Sequence, residues 1–187
     1  MSAETAVETE VKIRLGDPQD LHSRLIAAGF AITKPRVFEA NTIYDDLDRS
    51  LRARGCLLRL REVAGRVVVT FKGPADRGKH KSREELETTV GDAGVCADIF
   101  SRLGMQPMFR YEKFRTEYER VSEAGVITLD ETPVGWFMEL EGSPEWIDST
   151  AAQLGFSEQD YLIASYGALY LEYCAETGVE PSHMVFR

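Results

Sequence analysis

Glu8, Glu10, Lys12 and Arg14 alternate with Thr9, Val11 and Ile13 in the segment ETEVKIR. Successive side chains of a β-strand point to opposite faces, so a strand here has one face charged with both signs. The same period returns at Arg59 and Arg61 around Leu60, at Glu85 and Glu87 around Leu86, and at Glu139 and Glu141 around Leu140. Lys72, Lys113, Arg115 and Asp130 fall on the matching parity of further strand-like segments, and Arg83 stands at a strand end. A guanidinium offers phosphate oxygens a planar two-pronged donor set, and a lysine offers a point charge. Carboxylates in twos and threes suit Mg²⁺ or Mn²⁺, which bind through a few carboxylates plus substrate phosphates. One such strand is an ordinary solvated edge laced with cross-strand salt bridges. Several together describe a sheet whose charged face is a site for a metal-bound polyphosphate.

The elements that must position these residues can be read along the chain. Residues 7–14 are a strand. Asp17 and Pro18 supply a helix cap and a first-turn proline, and Gly29 ends that helix. A strand near 36–45 follows, then a hairpin, 56–62 with 66–72, around Ala64-Gly65. Residues 83–90 form another strand, Asp92 caps a helix over 93–104, and a long strand covers 108–120. A second hairpin pairs 125–131 with 134–141, Ser143-Pro144 opens a helix, and a final aromatic helix runs from 159 to 177. The expectation is a single α+β domain over residues 1–187, its core at about 7–175, with a loose C-terminal tail. An antiparallel sheet of eight strands tends to close into a β-barrel, because closure removes exposed edges. Closure with the charged parity inward gives a polar tunnel, an apolar outer wall and helices packed outside.

Charge and composition narrow the function classes. The chain has 187 residues and a net charge of −9, which argues against a nucleic-acid surface but allows a local anion site. No apolar run approaches the roughly 18 residues of a membrane span, and the polar start MSAETAVETE is no signal peptide. Cys56, Cys96 and Cys174 are odd in number and widely spaced, which suggests neither a zinc site nor disulfides and makes a cytoplasmic setting the simplest. A monomer and a homodimer are equally compatible with this composition.

The ordered motifs ETEVK, LLRLRE, VVTFKG, SREELE, YEKFRTEY, ITLDETPVG, FMELEG and SYGAL resemble those of the CYTH superfamily, the triphosphate tunnel metalloenzymes. That group includes class IV adenylyl cyclases, thiamine triphosphatases and inorganic triphosphatases. The resemblance spans Glu8 to about Leu171 and implies an eight-stranded closed tunnel that binds a small-molecule triphosphate and a divalent metal. By position, Glu8, Glu10, Glu139 and Glu141 would hold Mg²⁺ or Mn²⁺, with help from Asp130. Lys12, Arg59, Arg61, Lys72, Arg83, Lys113 and Arg115 would grip phosphates, and Glu85 and Glu87 would orient those cations. Lys72 and Glu10 would carry the catalytic step. The implied activity is metal-dependent hydrolysis of tripolyphosphate, thiamine triphosphate or a nucleoside triphosphate. The alternatives are cyclisation of ATP to cyclic AMP and pyrophosphate, or binding without turnover.

Two departures bear on the chemistry. Family triphosphatases place a tyrosine in a D-x-Y-[FY]-D-like stretch; here the stretch is NTIYDD, so Ile43 takes its position, Tyr44 falls on the opposite parity and Asn41 replaces an acid. Ala164 stands where many members have a basic residue. The segment GPADRGKH nearly matches a phosphate-binding loop, but it lacks the closing Ser/Thr and a strand pattern follows instead of a helix. Asp45, Asp46 and Asp48 lack the glycine and final glutamate of a calcium loop and are expected in a solvated turn.

Overall fold

The computed structural model describes residues 6–76, 78–121 and 123–187. Its eight strands are β1 (Ala6–Leu15), β2 (Ala31–Asp45), β3 (Leu57–Val63), β4 (Arg66–Lys72), β5 (Lys81–Val90), β6 (Gln106–Glu119), β7 (Val126–Thr132) and β8 (Gly135–Glu141). They close into a barrel in the order β1-β5-β4-β3-β2-β6-β7-β8, every neighbouring pair antiparallel. The closing pair aligns Glu10 with Glu141 and Lys12 with Glu139. Directly opposed residues point to the same face, so both motifs face one lumen. The hairpin between β3 and β4 turns on Ala64 and Gly65, both at positive φ (48° and 74°), the backbone sense that suits a right-twisted two-residue turn.

The outer wall is apolar and the helices cover it. Helix α1 (Pro18–Ala27) and helix α4 (Pro144–Gln153) bring Leu21, Leu25, Ile147 and Ala151 onto Val11, Ile13, Ile127 and Leu140. Asp17 and Ser143 cap these helices, and a proline occupies the first turn of each. Helix α3 (Ala93–Arg102) lays Cys96 and Phe100 against Tyr44 and Leu60. A short helix α2 (Ser50–Ala53) follows β2.

The final helix departs from expectation. Residues 159–165 are not α-helical: a single 3₁₀ turn spans Glu158–Asp160, and Leu162 exchanges backbone hydrogen bonds with Lys12 at 3.0 and 2.8 Å. Helix α5 begins at Tyr166, capped by the Ser165 side chain, and runs to Thr177. The extended stretch ahead of it lets α5 reach an end of the barrel, where Tyr166, Leu169, Tyr170 and Cys174 join Tyr111, Val134 and Phe137 in an apolar plug. The expected loose tail also takes part. Met184 is fully buried in the plug and bridges backbone to backbone with β6, at Arg110 and Glu112. The tail is fixed because those β6 backbone groups would otherwise lack partners.

The aspartate turn differs too. Asp45 is buried rather than solvated, and it accepts hydrogen bonds from the Leu51 and Arg52 amides at 2.9 Å each. The segment resembling a phosphate loop leads directly into β5, as its pattern suggested; Arg77 lies outside the described residues, and Lys79 pairs with Asp148 on α4 at 2.9 Å.

Candidate active site

An open cavity of about 1210 Å³ runs through the lumen and past its mouth, lined by residues of all eight strands, of α5 and of the α2 region. Such a volume accommodates a small-molecule ligand. Glu8, Glu10 and Lys12 enter it from β1, Arg59 and Arg61 from β3, Lys72 from β4, and Arg83, Glu85 and Glu87 from β5. Lys113 and Arg115 come from β6, and Glu139 and Glu141 from β8. Asp130 of β7 is buried behind Lys113 and Arg115. Arg14 follows the same parity but lies past the end of the lumen, stacked on Phe137 with its guanidinium 4.9 Å from the ring centre.

Burying ions costs several kcal/mol each unless they are paired, and these are paired in two groups. In the first, Lys12 Nζ lies 3.2 Å from Glu10 and 3.0 Å from Glu139, and Lys81 Nζ lies 2.7 Å from Glu10. Lys72 contacts Glu8 and lies 3.0 Å from Glu85, while Arg83 lies 3.5 Å from Glu8. In the second, Asp130 accepts from Lys113 at 2.9 Å, from both prongs of Arg115 at 2.7 and 2.6 Å, and from Tyr166 Oη at 2.6 Å. Arg115 also reaches Glu139, which joins the two groups. Arg59 donates to Thr70 at 3.0 Å, Thr70 donates to Glu87 at 3.2 Å, and Glu85 and Glu87 each lie 3.8 Å from Arg59.

The local fields differ along the lumen. Burial alone would raise the Glu10 carboxyl; Lys12 and Lys81 override it and hold it far below the usual range. Glu139 is held down in the same way against its burial by Arg115, Lys12 and Lys113. Glu8 moves the other way: its burial and the neighbouring Glu10 push its carboxyl up against the pull of Lys72. Glu141 stands at the rim in contact with solvent, yet the protein mass around it, followed by Glu8, pushes its carboxyl up to about 7. Crowded carboxylates that resist ionisation mark a place where a dication would be stabilised.

Glu8, Glu10, Glu139 and Glu141 lie close enough to act on one another's ionisation. Among the described residues no three of them converge at ligating distance, because Glu8, Glu10 and Glu139 are each turned toward a lysine or arginine. Asp130 fits poorly as a metal ligand, since its oxygens already receive the hydrogen bonds of Lys113, Arg115 and Tyr166.

Further residues line or border the lumen beside the expected phosphate and metal set. Lys81 is buried against Glu10. Glu39 is buried between Arg61 at 3.5 Å and Lys113 at 3.6 Å, and these cations overcome its burial and hold its carboxyl down at about 2. Asn41 accepts from Arg61 Nε at 2.8 Å. Tyr111 lines the cavity, and Arg59, Arg61 and Lys113 overcome its burial and pull its phenol down to about 8. Tyr166 sits between Lys12 and Lys113, whose ammoniums lie 5.3 and 5.2 Å from its ring centre. The signal was present in part: Glu39 and Asn41 share the parity of Ile43, and Tyr111 shares that of Lys113. Ile43 packs with Tyr111 and Tyr166 on the lumen side, whereas Tyr44, which also borders the cavity, packs its ring outside on Phe100.

A closed antiparallel barrel with an ion-paired lumen, and with its hydrophobic core between the outer wall and the helices, defines a tunnel-type protein. The CYTH domain model matches residues 6–166, and the chain belongs to that family. It is 31% identical over 138 residues to a Methanocaldococcus jannaschii protein named "Putative adenylate cyclase MJ0240", covering 73% of this chain and 77% of that one. Among solved structures, one from Vibrio parahaemolyticus described as "a putative adenylate cyclase" superposes with a TM-score of 0.77 at 21% identity, covering 92% of this chain and 99% of that one. Another, described as "Putative adenylyl cyclase HpAC1 from Hippeastrum reveals a dominant triphophatase activity", gives 0.66 at 19% identity, over 88% and 95%. At such identities the structural likeness establishes the fold. No helix among the described residues is long and apolar enough to cross a membrane.

Proposed function

We propose that this protein hydrolyses a small-molecule triphosphate with the help of Mg²⁺ or Mn²⁺. One observation carries this: the carboxylates Glu8, Glu10, Glu139 and Glu141 open into the same cavity as Arg59, Arg61, Lys113 and Arg115. Glu8, Glu10, Glu139 and Glu141 would hold the metal, which would withdraw charge from the phosphates and orient the attacking oxygen. Arg59, Arg61, Arg83, Lys113 and Arg115 would bind the triphosphate oxygens and fix their direction in the tunnel. Asp130 keeps Lys113 and Arg115 extended into the lumen by anchoring both. Lys72, held by Glu8 and Glu85, would place a positive charge beside the metal edge of the phosphate chain. When ligand enters, phosphate oxygens take over cations now paired to Glu8, Glu10 and Glu139, and those carboxylates become free to turn toward metal. The described ion pairs thus stand in for the ligand and keep the lumen charges compensated without it. The dominant triphosphatase activity ascribed to the Hippeastrum protein, which shares this fold, supports this choice within the family.

A second activity, cyclisation of ATP, is favoured by the name of the Methanocaldococcus jannaschii relative and by Ile43 in place of the family tyrosine. The deciding experiment incubates the purified protein with tripolyphosphate, thiamine triphosphate and ATP, each with Mg²⁺ and Mn²⁺, and measures phosphate, pyrophosphate and cyclic AMP. Phosphate release is expected. Cyclic AMP with pyrophosphate would replace hydrolysis by cyclisation, and no product from any pairing would leave a binding protein.

A further inference from the structure

The ladder between β1 and β5 runs from Ala6 opposite Glu85 to Glu10 opposite Lys81 and stops there, because β5 begins at Lys81. β1 continues to Leu15, paired on its other edge with β8. The edge that β5 leaves free is taken by the extended stretch ahead of α5. Lys12 N donates to Leu162 O at 3.0 Å, and Leu162 N donates to Lys12 O at 2.8 Å. Without that stretch these backbone groups of β1 would lack partners. Lys12 and Lys81 thus stand at the margin of the seam. Both are buried, both line the cavity, and both reach one carboxylate oxygen, Glu10 Oε1, at 3.2 and 2.7 Å.

The residues just before Lys81 and Leu162 are held on the outside of the wall. Asp148 of α4 accepts from Tyr161 Oη at 3.0 Å and from the His80 ring at 2.8 Å, both at Oδ1. A carboxylate only accepts, so His80 Nε2 carries the hydrogen. The other oxygen, Oδ2, accepts from Lys79 Nζ at 2.9 Å. The His80 and Tyr161 rings lie 6.0 Å apart, and the His80 side chain is only 12% exposed, so this knot is not one of the solvated ion pairs that add little. Two carboxylates therefore hold the same two segments. Asp148 holds residues 80 and 161 outside, and Glu10 holds Lys81 and Lys12 inside. Lys79 and His80 belong to the segment that resembles a phosphate loop, and both face Asp148.

We propose that Asp148 is a positioning residue for the lumen: by clasping His80 and Tyr161 outside the β1–β5 seam, it fixes Lys81 and Lys12 inside it, in the orientation in which they meet a bound polyphosphate. This rests on the tunnel being a triphosphate site and extends its working residues to an outer helix. Asp148 touches no ligand; it acts through the backbone of the residue next to each clasped one.

The test joins amide hydrogen exchange to calorimetric titration with tripolyphosphate. It compares the wild type with Asp148→Ala, Lys81→Met, the double variant and, as a control, Arg36→Gln, which breaks an exposed ion pair with Glu131. In Asp148→Ala the Lys12 and Leu162 amides should exchange about tenfold faster, while the β3–β4 hairpin keeps its rates. Its affinity for tripolyphosphate should fall about three- to tenfold, the order of one net hydrogen bond. Lys81→Met should weaken binding too, and the two losses should not add in the double variant, because residues of one network couple. Arg36→Gln should leave both readouts unchanged. A merely structural Asp148 would lower the melting temperature and leave the affinity of the folded variant as in the wild type. That affinity, or losses that add in the double variant, would overturn the proposal. Unchanged exchange at Lys12 and Leu162 would overturn it without reference to any ligand. Should Asp148→Ala fail to fold, His80→Phe and Tyr161→Phe each remove one donor, and wild-type exchange and affinity in both would overturn it equally. A wild type that binds no tripolyphosphate would instead overturn the tunnel assignment, and the exchange rates alone would then decide whether the clasp holds the seam.

Discussion

Tyr166 Oη, at the first turn of α5, donates a 2.6 Å hydrogen bond to Asp130 Oδ2 on β7. This bond ties the apolar plug to the ionic lumen. Asp130 is completely buried and also holds Lys113 and Arg115. The phenol thus completes the shell of the acid that aims two of the phosphate-binding cations.

Tyr166→Phe should therefore cost about 1.5–3 kcal/mol of stability, the usual worth of a hydrogen bond to a buried charge. Asp130→Asn should cost more, about 3–5 kcal/mol, because it leaves Lys113 and Arg115 undercompensated in the barrel wall. Urea unfolding of the two variants checks the order. A Tyr166→Phe variant less stable than Asp130→Asn would contradict the role given to the aspartate.

Glu39 makes acid stability sensitive to one residue. Its folded carboxyl lies at about 2, below the ordinary 4.5. The stability it adds is fully present above pH 4.5 and is lost as pH falls from 4.5 toward 2. A shift of this size corresponds to about 3 kcal/mol. Glu39→Gln should be destabilised at pH 7 and should approach the wild type near pH 2.5. Thermal melts over that range would show two parallel curves if Glu39 had no such part.

Chelation should remove turnover while the fold persists, because the described ion pairs already balance the lumen charges. Glu10→Gln should behave like the chelated wild type, with phosphate release reduced at least a hundredfold, the order expected when an activating charge is lost. Its circular dichroism should stay native, since Lys12 retains Glu139. Normal turnover in this variant would remove Glu10 from the metal set.

Gly125 offers a check on the outer wall. A Cβ built there would lie 2.3 Å from Trp146 of α4, well inside contact distance. Gly125→Ala should displace that indole and its hydrogen bond to Glu123, with a loss of about 1–3 kcal/mol typical of overpacking. Near-ultraviolet dichroism and urea midpoints report both effects. An alanine variant as stable as the wild type would mean that α4 does not press on this loop.

By itself, the sequence determined the strands, their charged parity and the expectation that this parity lines a closed barrel. Alternation is a local property, and a period of two sends one set of side chains to one face wherever the strand ends up. Glu8, Glu10, Arg59, Arg61, Lys113, Arg115, Glu139 and Glu141 were found this way. Only the tertiary structure decided how the charges pair, because pairing depends on the register and closing order of eight strands. It placed Tyr166 where the apolar plug meets the ionic lumen, through an extended segment that the aromatic spacing of the last helix had concealed. It turned Asp130 from an expected metal ligand into the anchor of two cations, and it drew Met184 of the expected loose tail into the plug. It also set Asn41 beside Tyr111, residues 70 positions apart, which no pattern along the chain connects.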